Sequence, residues 1–173
     1  IASLILKELD IKFELQINYI GNLESLDSYR NYLRDYLMDY KSSTDDKLYS
    51  RLIRNPLRAM DSKDIKIKSL MSKAKKISDF LTKEQQQRFK DIRDLLSKMN
   101  INFTQNPDLV RGMDYYTGTV FEFTNKQLGA QNSILGGGRY DNLVSDLGGN
   151  ALPATGFALG VDRLAEIIDF DCE

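Results

Sequence analysis

The chain contains no histidine, no tryptophan, one cysteine and three prolines in 173 residues. Without histidine, the usual general base near neutral pH and the commonest zinc ligand are both missing. Any chemistry therefore falls to carboxylates, arginines, tyrosines or a bound metal. Cys172 has no partner for an internal disulfide, which fits a reducing compartment and a cytoplasmic location. No apolar run approaches the roughly 18 residues of a membrane helix. The opening Ile1-Ala2-Ser3-Leu4 has no basic region and no small-residue cleavage site, so it does not read as a signal peptide. It lacks an initiator Met and begins inside a helical pattern (Leu4, Ile5, Leu6, Leu9), as expected of a piece of a longer protein.

What is present is a globular composition, 42% hydrophobic and 28% charged, long enough for one domain with a small insertion. The net charge of -1 hides a segregation. Residues 41–100 carry 16 Lys+Arg against 8 Asp+Glu, and the remainder carries 8 against 17. On charge alone the basic segment reads as a lysine-rich solvated surface; the alternative is a module that meets a polyanion.

Phe13, Leu15 and Ile17 alternate with polar residues, the period of a half-buried strand. Leu26, Tyr29, Leu33, Tyr36, Leu37 and Tyr40 fall at helical spacing and read as core packing. After the polar stretch 41–46, a short helix around Leu48–Ile53 ends at Asn55-Pro56. Residues 61–76 read as another helix or pair of turns. Thr82 and Gln85 form a capping box, opening a helix with Phe89, Ile92, Leu95, Leu96 and Met99 on one face. Beyond Asn100, Phe103, residues 120–124 and residues 133–135 read as strands, and nine of the 11 glycines lie at or after Gly118. The expected fold class is α+β, an antiparallel sheet interrupted by a helical insertion. The expected segments are 1–41, 42–100 (the insertion) and 101–173.

Three clusters carry possible chemistry. Arg111-Gly112-Met113-Asp114-Tyr115-Tyr116-Thr117-Gly118 joins a guanidinium fork, suited to carboxylate or phosphate, to tyrosine hydroxyls. Tyrosines packed beside a strand account for it equally well. Gly136-Gly137-Gly138-Arg139-Tyr140-Asp141 permits close backbone approach, though a glycine run alone favours a plain turn. It matches neither the phosphate-binding loop nor the dinucleotide fingerprint. Gly156 to Arg163 is a small-residue segment ending in an arginine at a helix start, which suits a triphosphate; alone, it favours a surface salt bridge to Asp162 or Glu166.

In this order, the three clusters resemble the histidyl-tRNA synthetase family. Arg111–Tyr116 is similar to its histidine-binding signature, Gly137–Asp141 to its second signature, and Gly156–Arg163 to motif 3 of class II synthetases. Asn55-Pro56-Leu57-Arg58 followed by Asp61-Ser62-Lys63 resembles its insertion domain. The resemblance departs at Asp162, where the family usually has Glu, and at Met113, where it usually has Leu.

It implies a class II antiparallel sheet, and an activity that joins histidine to AMP and passes the histidyl group to tRNA(His). It assigns Arg111 to the histidine carboxylate and the ATP α-phosphate, as the catalytic residue, and Arg163 to the terminal phosphates. Tyr116 and Tyr140 would line the histidine pocket, with Gly137 and Gly138 leaving room and Asp114 and Tyr115 shaping the loop. Lys66, Lys68, Lys73, Lys75 and Lys76 would meet tRNA phosphates. ATP is expected as a substrate accompanied by Mg2+, with no tightly bound cofactor and no protein metal site. The parent is expected to be a homodimer and not a membrane protein. Motifs 1 and 2 are expected before residue 1 and an anticodon-binding domain after residue 173, leaving these 173 residues inactive alone. The rival resemblances are to the regulatory subunit of ATP phosphoribosyltransferase and to the synthetase-like sensor domain of starvation kinases. Arg111-Gly112 and the basic insertion favour the synthetase.

Overall fold

The computed structural model describes residues 1–39, 46–60, 62 and 64–168. Tyr40, the polar stretch 41–45, Asp61, Lys63 and Cys172 lie outside them.

A five-stranded sheet organises the chain: β1 (Glu14–Tyr19), β2 (Thr104–Gln105), β3 (Thr117–Thr124), β4 (Ser133–Tyr140) and β5 (Ala154–Leu159), in the order β2-β1-β3-β4-β5. The pairs β1–β3, β3–β4 and β4–β5 are antiparallel as expected. The short β2 pairs parallel to β1, which the long helical connection between them permits. The glycine run 136–138 is not a turn. It lies inside β4, paired with β3 on one side and β5 on the other.

The strand pleat sorts residues onto two faces. Across one face run the rows Gln16–Glu122–Gly136–Ala158 and Asn18–Val120–Gly138–Gly156. The opposite face carries Leu15, Ile17, Phe121, Phe123 and Phe157.

Helices cover both faces. α1 (Ala2–Glu8) buries Leu6 against the apolar face. α5 (Lys83–Lys98) packs its N-terminal half there too, with Phe89 5.6 Å from the ring of Tyr19. The Thr82–Gln85 capping box forms as expected. Ile92 and Leu96 are partly buried on the same side, whereas Leu95 and Met99, expected beside them, stay 57% and 66% exposed. On the other face α2 (Leu23–Met38) buries Leu26, Tyr29, Leu33 and Leu37. Against them pack Leu52 of α3 (Asp46–Arg54), Leu57, Ala59 and Met60 of the 3-10 turn after it, and Ile67 and Met71 of α4 (Ile65–Met71). Tyr116 and Val120 join this cluster. The basic segment 42–100 is thus divided, its first part on one face of the sheet and α5 on the other.

Candidate functional site

The loop between β2 and β3 crosses the α2-covered face and is pinned there by two asparagines. Asn18, buried in β1, donates through Nδ2 to the carbonyls of Pro107 (3.2 Å) and Leu109 (2.9 Å). Asn106 Nδ2 donates to Gln16 Oε1 at 2.7 Å. These bonds carry the chain to Arg111, whose Nη1 lies 3.0 Å from Glu122 Oε1. Glu122 and Gly136 are register partners on this face, and the guanidinium lies over Gly136. A methyl group added there would collide with its Cζ and both Nη atoms. Arg111 Nε is buried and has no hydrogen-bond partner among the described residues.

Beyond Arg111 the chain turns through Tyr115 and Tyr116. Gly118, inside β3, takes a φ of +61°, a conformation glycine adopts without steric cost. The register shift between Thr117 and Val120 accompanies it. The rings of Tyr115 and Tyr116 are 4.5 Å apart, and Tyr140 stands edge-on to both, at 5.6 and 6.2 Å. Glycines make room for them. A Cβ on Gly138 would sit 2.8 Å from the Tyr116 ring, and one on Gly156 3.0 Å from the Tyr140 hydroxyl. Burial pushes the Tyr116 phenol up to about 12; the Tyr115 hydroxyl adds to this, and the Arg111 charge pulls the other way. Thr117 Oγ1 (3.0 Å) and Arg139 Nε (2.7 Å) both donate to Asp141, tying the ends of β3 and β4.

The structure therefore brings Arg111, Tyr116, Tyr140 and Gly138 onto one face. Gly137 points to the other face, because the pleat alternates; a Cβ there would meet Phe157 and the Gly156 carbonyl. Arg163, in α6 (Val161–Ala165), donates to the Ser133 carbonyl at the start of β4. Ser133 is three residues from Gly136, about 10 Å along a strand. Asp114 is exposed and 3.7 Å from Arg30. Sequence reading gave no role to Gly136 or Glu122. A single acid within Val120-Phe121-Glu122-Phe123, facing a glycine, was the available signal.

Beside Arg111 opens a cleft of ≈380 Å3 lined by Arg51, Asn55, Leu57, Arg58, Ser62 and Gly112 among others. The five lysines lie apart from it. Lys66, Lys68, Lys73 and Lys75 are exposed, Lys75 over the Tyr32 ring at 5.8 Å. Lys76 is 2.7 Å from Asp108, joining the helical layer to the pinned loop. Among the described residues no three His, Cys, Asp or Glu side chains gather as a metal cluster, and no helix is long and apolar enough to cross a membrane.

Known proteins are similar to this chain in sequence and in fold. The family model described as histidyl-tRNA synthetase matches residues 40–164. The histidine–tRNA ligase of Ehrlichia ruminantium (strain Gardel) is 44% identical over 96% of this chain and 41% of its own length. That of Wolbachia pipientis wMel is 47% identical over 91% of this chain and 38% of its own. The chain thus spans about two fifths of these curated relatives. The solved structure of apo histidyl-tRNA synthetase from S. aureus superposes with a TM-score of 0.73 at 30% identity, over 98% of this chain and 43% of that one. A Bacillus halodurans structure described as an ATP phosphoribosyltransferase regulatory subunit/histidyl-tRNA synthetase shares the fold, with a TM-score of 0.57 at 22% identity, over 97% of this chain and 48% of that one. With that family model matching residues 40–164, the chain belongs to the histidyl-tRNA synthetase family.

Proposed function

We propose that these residues are part of the catalytic domain of a histidine–tRNA ligase. A carboxylate oxygen of histidine attacks the α-phosphorus of ATP, the bond to the β-phosphate oxygen breaks, and pyrophosphate leaves. The histidyl group of the adenylate then passes to the 3′ end of tRNA(His), releasing AMP. Arg111 is the catalytic residue, held against the carboxylate and the α-phosphate. Its permanent charge stabilises the charge building up in the displacement without moving a proton. Tyr116 and Tyr140 read the imidazole by hydroxyl and ring contact, and burial holds the Tyr116 phenol still more firmly in its neutral form. Gly138 leaves them space. Arg163 grips the terminal phosphates, which requires it to leave the Ser133 carbonyl. Mg2+ is expected to enter with ATP and would supply charge neutralisation at the phosphates.

The observation that carries this reading is the guanidinium of Arg111 lying over Gly136, on the same face as the Tyr115–Tyr116–Tyr140 group. Within a family whose curated members are named histidine–tRNA ligases, that pairs an anion-binding fork with an aromatic, hydroxyl-bearing wall. The parent protein is expected to act as a homodimer in the cytoplasm.

The test is histidine-dependent ATP–pyrophosphate exchange and tRNA charging by the full-length parent. Exchange should fall about 100- to 1,000-fold in Arg111→Lys, the scale of losing one preorganised donor in such a site. A parent that neither exchanges nor charges would instead belong with the non-catalytic regulatory relatives.

A further inference from the structure

We propose that Glu122 is a positioning residue for Arg111: its carboxylate holds the guanidinium over Gly136 so that the Nε–Nη2 edge is presented to the reacting anions. This rests on the ligase reading above and adds a residue that reading does not use.

Three observations converge. Glu122 Oε1 is 3.0 Å from Arg111 Nη1, and both side chains are largely shielded, 22% and 25% exposed. Glu122 projects from the middle of β3, in register with Gly136, so its anchor is paired on both sides and does not drift. Gly136 is the one residue type over which the guanidinium fits, since any Cβ would overlap it. The acid and the missing side chain therefore fix the same group from two directions.

The edge they leave matters for chemistry. A guanidinium offers two forks, one between its Nη atoms and one between Nε and Nη2. Glu122 engages Nη1, a member of the first fork. Nε belongs to the second, is buried, and has no acceptor among the described residues. A carboxylate or phosphate oxygen approaching that side would meet a donor already desolvated and aimed. The matching geometry is bidentate. Glu122 itself does not touch substrate in this arrangement; it acts through Arg111.

The experiment uses the full-length parent and measures histidine-dependent ATP–pyrophosphate exchange with kcat and KM separated, alongside thermal unfolding. Glu122→Gln, which keeps the volume and loses the charge, is expected to lower kcat about 10- to 100-fold, the cost of a small misplacement at a reacting centre. The unfolding midpoint should hold. Glu122→Asp should recover part of kcat. Gly136→Ala, which leaves the acid intact but displaces the guanidinium, should reproduce the kcat loss. In an Arg111→Lys background, which lacks the fork, adding Glu122→Gln should cost less than about twofold, because coupled residues are non-additive. A full, additive loss in that background would overturn the proposal, as would an unchanged kcat in Glu122→Gln or Gly136→Ala. A wild-type parent without exchange would instead sink the ligase reading, and the positioning role with it.

Discussion

Asn18 is 3% exposed, and its amide reaches two carbonyls of the loop that leads to Arg111. Replacing it with leucine fills the space but leaves both carbonyls without that donor, a loss on the order of 2 kcal/mol. Urea unfolding should show that drop, and exchange by the full-length parent should fall with it as the loop loosens. The buried tyrosines make a second prediction. Burial raises the phenols of Tyr29 and Tyr116 above their ordinary value of 10. Above pH 10 the unfolded chain therefore ionises while the folded chain holds its protons. Stability is present in full below pH 10 and falls as pH rises through the folded values, by up to about 1.4 kcal/mol per pH unit for each phenol. Melting curves from pH 9 to 12 should show the decline, and Tyr29→Phe with Tyr116→Phe should flatten it. At this scale the clusters that hold Arg111, Tyr116 and Tyr140 stood out beside their glycines, but composition left packed tyrosines as an equal reading, and only the family resemblance gave these residues roles. Glu122 and Gly136 stayed hidden because their meaning is a register, and strand register is written in no single segment.

Among the elements, α5 was readable from its cap: Thr82 Oγ1 accepts from Gln85 N at 3.2 Å and Gln85 Oε1 accepts from Thr82 N at 2.9 Å. Gln85 also meets Ser25 Oγ at 3.0 Å, so the cap fastens α5 to the start of α2. Thr82→Ala should cost about 1 kcal/mol, read as a lowered urea midpoint with an unchanged slope. β1 was legible for the same kind of reason, since apolar residues at every second position suit a strand with one buried face and do not suit a helix. The glycine run of β4 was not. Glycine is poor in a strand interior, and local preference points to a turn. Tertiary demand overrides it, because Arg111 and Tyr116 lie over Gly136 and Gly138 while β5 presses on Gly137. The parallel placement of β2 was equally invisible, since two residues carry no periodicity and their pairing depends on everything between Tyr19 and Thr104.

Over the whole molecule, the charge segregation acquires a geometry. The part of the basic segment before α5 covers the same face of the sheet as Arg111, and the cleft beside Arg111 carries Arg51 and Arg58. The five lysines singled out by sequence are not equivalent there. Lys76 is committed to Asp108 and Lys75 leans on Tyr32, whereas Lys66, Lys68 and Lys73 project into solvent. If this surface meets tRNA phosphates, each lost contact should lower the salt slope of binding by about one and weaken affinity without regard to sequence. Reversing Lys66, Lys68 and Lys73 together in the full-length parent should then flatten the log–log plot of tRNA affinity against salt, while histidine-dependent exchange continues. Lys76→Ala should act differently, lowering the unfolding midpoint through its loop contact more than it changes the slope. An unaltered slope in the triple reversal would leave those three lysines as a solubilising face and shift the search for the nucleic-acid path to the arginine cleft.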